Sequence, residues 1–247
     1  MPMQPRFIPQ GAIGQLVPSS NRTVERTVEA LLAGYPDWGA CYARIPFHPD
    51  GTGQPAQGYD LPPIRAAVEL LRDAGVAAIS WNGTKGCWDG FQVDRDLGAA
   101  MSAVAGCPVV SVALDTLTVL ERLGARRIGL VAPGSLAQAE LSARQFGTQG
   151  VEVKAMRAFG VATNHDSAAL GASRIAEAAR AVAPGVDAVL LWSTNLPGLP
   201  VVASLEAELG IPVVDSAAVG VWGCLAALGL PGWPAAAVGG RMFGVLG

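Results

Sequence analysis

Two short polar clusters, each set behind a tryptophan, carry the chemistry this sequence can offer: Trp81-Asn82-Gly83-Thr84 and Trp192-Ser193-Thr194-Asn195. Amides, hydroxyls and glycine N–H groups are donors suited to a carboxylate or a developing oxyanion. Asn82, Gly83, Thr84, Thr194 and Asn195 are therefore candidate binding or stabilising groups, although Asn-Gly is also an ordinary turn pair. Ser193 is a candidate nucleophile or proton carrier. A serine nucleophile needs a base within reach, and no GxSxG elbow surrounds Ser193. The candidate bases are His165, in Thr163-Asn164-His165-Asp166, and Asp115 and Asp215, which follow paired Pro-Val-Val segments. Each aspartate is more ordinarily a helix N-cap, and a lone loop histidine is more ordinarily a surface or capping group. A third cluster, Val17-Pro18-Ser19-Ser20-Asn21, enters a helix that Asn21 can cap, where backbone N–H groups can hold an anion. Lys85 is expected to point to solvent.

The elements that must position these groups alternate strand and helix. Short runs rich in Val, Ile and Ala predict strands over 11–17, 40–46, 76–81, 108–112, 127–131, 151–155, 187–192 and 211–214, as for parallel strands covered on both faces. Helices are predicted over 22–32, 61–74, 113–123, 167–182 and 200–209, with Ser167 as an N-cap and Gly75, Gly124 and Gly210 at C-terminal ends. The polar clusters fall at strand ends, the edge where open α/β sheets bind ligands. Echoes run through the chain in constant order. Trp81 matches Trp192, Cys107-Pro108-Val109-Val110 matches Ile211-Pro212-Val213-Val214, and Leu120–Gly124 matches Leu225–Gly229. They predict an α/β protein of two pseudo-symmetric, doubly wound lobes with the site between them. Residues 1–115 with 216–247 form one lobe and 116–215 the other.

Composition narrows the classes. Net charge is −3 with scattered basic residues, which argues against nucleic acid. The cysteines Cys41, Cys87, Cys107 and Cys224 are far apart, with no metal-ligand spacing, so no metal is expected and a reducing compartment is. MPMQPRFIPQ does not read as a signal peptide, and the uncharged stretch 216–240 is broken by glycine and proline, reading as buried helix and loop rather than a membrane span. The expectation is a soluble, cytoplasmic protein. No GxxxxGK[ST] occurs, so no nucleotide fingerprint is present. Trp81, Trp88, Trp192 and Trp222 are expected to set the pocket's volume and suggest an aromatic or flat ligand.

The clusters together resemble the aspartate/glutamate racemase superfamily, most of all its branch of maleate cis-trans isomerases and arylmalonate decarboxylases. Val17–Asn21 followed by Glu25 resembles that branch's opening motif, and Gly90 through Val93–Asp96 the stretch after its first active-site loop. Gly124–Pro133 resembles the strand ahead of the third tip, Val161–Asn164 the substrate-amide loop, and Leu196–Leu199 the residues after the second catalytic position. The resemblance implies two lobes, no cofactor, a small carboxylate or carbonyl substrate and a homo-oligomer. It also implies that Asn82 and Ser193 stand where the family keeps its two cysteines, and that Gly134 replaces a tyrosine. The anion-binding frame it implies is Ser20, Asn21, Gly83, Thr84, Asn164 and Thr194. Without thiolates, two-base racemisation is excluded. Three functions follow. The first is a cofactor-independent lyase or isomerase working through a stabilised oxyanion, with Ser193, Asn82 and Thr84 as its catalytic groups. The others are a hydrolase opening an amide or lactam with Ser193 or water, and a non-catalytic small-molecule binder.

Overall fold

The structure, a computed structural model, describes residues 9–246; the reading of the N-terminal ten residues lies, through Ile8, outside the described residues. The first part of the chain runs β1 (Gly11–Pro18), α1 (Val24–Leu32), β2 (Trp38–Ile45), α2 (Leu61–Asp73), β3 (Ala78–Trp81), α3 (Gly86–Asp89), α4 (Phe91–Ala105), β4 (Val109–Ser111) and α5 (Val112–Arg122). The second runs β5 (Arg127–Ala132), α6 (Leu136–Thr148), β6 (Glu152–Ala158), α7 (Asn164–Ala168), α8 (Ala172–Val182), β7 (Ala188–Leu191), α9 (Leu199–Leu209), β8 (Val213–Asp215) and α10 (Ser216–Ala227). After these come α11 (Trp233–Gly239) and a closing turn of 3-10 helix over Arg241–Val245.

Two four-stranded parallel sheets result, ordered β2-β1-β3-β4 and β6-β5-β7-β8. The orders are identical once four is added to each strand number, so the internal echo is a repeat of topology. Parallel strands bury both faces, which is why β3 and β7 are wholly buried and read as apolar runs. Chain order does not keep the halves apart. Helix α10 follows the second sheet yet packs on β3, β4, α1 and α5 of the first. Ten of its twelve residues are buried, which explains a segment with no charge. No helix among the described residues is long and apolar enough to cross a membrane.

Local structure departs from expectation at named places. Helix α1 starts at Val24 because Asn21 Oδ1 accepts from both Thr23 N (2.9 Å) and Val24 N (3.0 Å). The single helix expected over 167–182 is broken at Gly171 into α7 and α8. Thr163, not Ser167, caps α7, accepting from Asp166 N at 3.1 Å, while Ser167 is buried within it. Helices α4 and α6 lie outside the segments predicted as helical. Helix α6 carries a full capping box between Ser135 and Gln138, a signal present in the sequence. Gly75, Gly124 and Gly210 do take positive φ after α2, α5 and α9, as a left-handed ending requires.

Candidate functional site

The carboxyl ends of both sheets face one another, and the polar clusters meet there. Thr194 Oγ1 donates to the Asn82 carbonyl (3.0 Å) and accepts from Asn21 Nδ2 (3.2 Å). Asn195 Oδ1 accepts from Arg22 N (3.0 Å) and Thr23 Oγ1 (3.3 Å), and its amide donates to Asn164 O (2.5 Å). Asn164 Nδ2 donates to Ser20 Oγ (2.7 Å), which donates to Phe47 O (2.6 Å). Buried polar groups require partners, and here the two lobes supply them to each other. Ser20, Asn21, Asn164, Thr194 and Asn195 thus form a seam that locks the tips together. The N–H groups at the start of α1 are taken by Asn21 and Asn195, so that helix start does not present them to an anion.

Against this seam lies a cavity of about 360 Å³. Trp81, Trp88, Trp192 and Phe47 form apolar walls, and Pro49, Asp50, Gln54 and Pro55 of the long 46–60 loop roof it. The two equivalent tryptophans are anchored alike: Trp81 Nε1 donates to Tyr59 Oη (3.3 Å) and Trp192 Nε1 to Ser142 Oγ (3.1 Å). Gly83 lies flat on the first indole; a Cβ there would be 2.2 Å from Trp81 Cζ2, so only glycine lets the backbone pass. Trp222 does not line the cavity. It is buried with its indole N–H on Met242 O (2.9 Å).

The groups left with hydrogen-bonding capacity are fewer than the clusters suggested. Among the described residues, no partner is found for the backbone N–H of Gly83, Thr84 or Thr194, nor for the Thr84 hydroxyl, and all three residues line the cavity. Ser193 is half-buried in the lining; its Oγ accepts from Asn195 N (3.2 Å) and its own hydrogen has no acceptor among the described residues. Lys85 is a correction. Its side chain is only 11% exposed, lines the cavity and donates to Gly58 O (2.8 Å).

Other candidates lie elsewhere. The Asn82 side chain turns into the core, where Nδ2 donates to Gln15 Oε1 (2.7 Å) and Oδ1 faces Gly220. Asp215 is the N-cap of α10, accepting from Ala218 N (2.9 Å), with Oδ2 unpartnered. Asp115, in the first turn of α5, faces Gly223 with its Oδ2 likewise unpartnered. Burial pushes both carboxyls up to about 7, but neither lines the cavity. His165 is exposed and lines a separate groove with Arg22, Arg26 and Pro200. One residue escaped notice as a candidate, Asp94. It is buried, joined through Oδ1 to Tyr59 Oη (3.4 Å) and Ser111 Oγ (3.3 Å), and burial raises its carboxyl to about 7. Tyr59 Oη also accepts from Gly86 N (2.9 Å), so Asp94 braces the loop that carries Gly83, Thr84 and Lys85. None of the four cysteines lines the cavity; Cys87 and Cys224 are buried, which pushes both thiols up. No group of three or more metal-ligating side chains is found among the described residues.

Comparison with known proteins converges on one family. The family model described as arylmalonate decarboxylase matches residues 36–243. Maleate isomerase of Pseudomonas putida is 31% identical over 240 residues, covering 88% of this chain and 92% of that protein. Arylmalonate decarboxylase of Bordetella bronchiseptica is 29% identical over 206 residues, 75% of this chain and 81% of that one. Among solved structures, Nocardia farcinica maleate cis-trans isomerase bound to TRIS superimposes with a TM-score of 0.84 at 27% identity, covering 94% of this chain and 97% of that one. A cysteine-to-serine mutant of the same isomerase, with a covalently bound succinylcysteine intermediate, gives a TM-score of 0.82 at 27% identity over 94% of this chain and 98% of that one.

Proposed function

The chain belongs to the arylmalonate decarboxylase and maleate isomerase family, and from that premise we propose that it is a cofactor-independent enzyme of the lyase or isomerase kind. Its substrate is a small carboxylate or carbonyl compound held between the lobe tips. Loss of carbon dioxide or of a proton beside a carbonyl leaves an enolate, and donors already in place where that charge develops lower the barrier. The observation that carries the reading is the set of unpaired donors around the cavity: N–H of Gly83, Thr84 and Thr194, with the Thr84 and Ser193 hydroxyls. Ser193 is the proton-carrying group in this scheme. The covalent cysteine intermediate recorded for the Nocardia isomerase needs a thiol, and no cysteine lines this cavity. The scheme therefore runs through hydrogen-bonded stabilisation of the enolate, with Ser193 passing a proton from solvent to carbon and no covalent intermediate. Hydrolysis by Ser193 is less well supported, because His165, Asp115 and Asp215 do not line its cavity.

The test is incubation with maleate, arylmalonates and related acids in deuterated water, followed by proton NMR for deuterium at carbon, a changed double bond or loss of a carboxyl group. Turnover abolished by Ser193→Ala supports the proposal; full activity in that variant removes Ser193 from it. One observation favours a second reading, a non-catalytic binder: the lining contains no histidine or cysteine to act as base. A binder would be thermally stabilised by a ligand and turn over none of the panel.

A further inference from the structure

The cavity holds one cation in its wall, and its surroundings point to a role in selecting ligands. Lys85 is mostly buried yet lines the cavity. An ammonium has three hydrogen-bond donors. One reaches Gly58 O at 2.8 Å. Asp89 Oδ2 forms an i,i+4 ion pair with Nζ at 3.6 Å, too long to take one of its hydrogens, and itself accepts from Gly58 N at 3.0 Å. The Tyr59 ring lies 5.4 Å from Nζ and helps hold the chain in place. The other charged side chain in the lining, Asp50, is exposed and engaged by Thr52 through N (3.0 Å) and Oγ1 (2.7 Å). Donor capacity is therefore left on a cation withdrawn from bulk water, beside the unpaired N–H groups of Gly83 and Thr84. Its ion pair with Asp89 leaves hydrogens unused, and a charge-assisted hydrogen bond to an anionic ligand group gains more there than one to a neutral group.

We propose that Lys85 reads ligand charge in this pocket: its ammonium binds an anionic group of the ligand and makes the site select carboxylates over uncharged isosteres of the same shape. The inference rests on the reading of the cavity as the substrate site and deepens it by assigning the residue that recognises the acid. Lys85 is a specificity residue in this account, and no proton transfer is assigned to it.

The experiment measures binding of matched acid and amide pairs by calorimetry: benzoate with benzamide, phenylacetate with phenylacetamide, and maleate with maleamide. Wild type should bind the acid of at least one pair roughly tenfold or more tightly than its amide. Lys85→Met should lose roughly 10- to 100-fold in acid affinity, the range of a charge-assisted hydrogen bond, while amide affinity stays within about twofold. Lys85→Arg should keep most of the preference. A purely structural role, tethering the loop through Gly58, would weaken acid and amide together and leave their ratio unchanged; that result overturns the proposal. Should Lys85→Met fail to fold, the wild-type ratio still decides, because equal binding of acid and amide overturns the proposal without any variant. If wild type binds neither member of any pair, the substrate-site reading falls and the role of Lys85 with it.

Discussion

Replacing Thr194 by valine should loosen the joint between the lobes without changing the size of the side chain much. The hydroxyl serves two buried partners at once, donating to the Asn82 carbonyl (3.0 Å) and accepting from the Asn21 amide (3.2 Å). Thr194 is 4% exposed, Asn21 4% and Asn82 0%, so water cannot easily replace it. Each buried group left unsatisfied costs about 1–3 kcal/mol. Two such groups give about 2–4 kcal/mol once the smaller loss at the half-satisfied Asn21 amide is allowed for. In a chain of this size a kcal/mol moves the melting temperature by roughly 2–4 °C, so a fall of about 5–15 °C is expected. The assay is calorimetric melting beside Thr148→Val, the same chemical change on an exposed helix end, where the hydroxyl bonds only to Gln145 and Gln149. That control should stay within about 0.5 kcal/mol of wild type. A Thr194→Val protein as stable as the control would refute the claim that the seam holds the tips together.

Three further outcomes follow from the same structure. Burial pushes Asp94, Asp115 and Asp215 up to about 7, against roughly 4 in the unfolded chain. The folded state then holds the extra protons, so the contribution of these three groups to stability is fullest below about pH 4 and declines as pH rises towards 7. Asp215→Asn keeps the cap acceptor and cannot ionise; its urea midpoint should improve relative to wild type between pH 5 and pH 8, and an unchanged gap would contradict the assignment. Gly14 and Gly129 occupy equivalent places, paired with Ile79 and Val189. A Cβ on Gly129 would meet the Val182 carbonyl oxygen at 2.4 Å, whereas one on Gly14 meets side-chain atoms at 3.0 Å. Gly129→Ala should therefore cost about 3 kcal/mol or more and Gly14→Ala about 1 kcal/mol, and equal denaturation midpoints would be inconsistent with this packing. His165→Ala should leave carboxylate affinity within about twofold, since His165 lines the separate groove; a large loss would move the site.

Much of this architecture was legible because parallel strands write themselves as apolar runs and their repeat survives in sequence. The matches of Trp81 with Trp192 and of Pro108 with Pro212 mark equivalent strands of the two sheets. Helices α4 and α6 were harder to read. Helix α4 carries Gly98 among alanines, and α6 announces itself only through the Ser135–Gln138 box. At the site, residue type identified the polar tips but not how they divide. Whether an asparagine greets a ligand or its neighbour depends on what stands opposite, and for Asn21 and Asn195 that is supplied by the other lobe from over a hundred residues away. Asn21 and Asn195 are spent on the seam, and Asn82 turns to Gln15 because Gly220 leaves room for it. Lys85 shows the converse. A lysine in a polar loop reads as solvated, yet Gly58 and Tyr59 of the roof loop fold over it and draw it into the cavity wall.

If the proposed function holds, a carboxylate binds in the cavity between the lobe tips. A crystal structure of the protein with a carboxylate that raises its melting temperature tests this most directly. The carboxylate should lie beside Gly83, Thr84 and Ser193, with an oxygen within hydrogen-bond distance of at least one unpaired N–H. A ligand found instead in the groove of Arg22, Arg26 and His165, with the cavity holding only water, would contradict it.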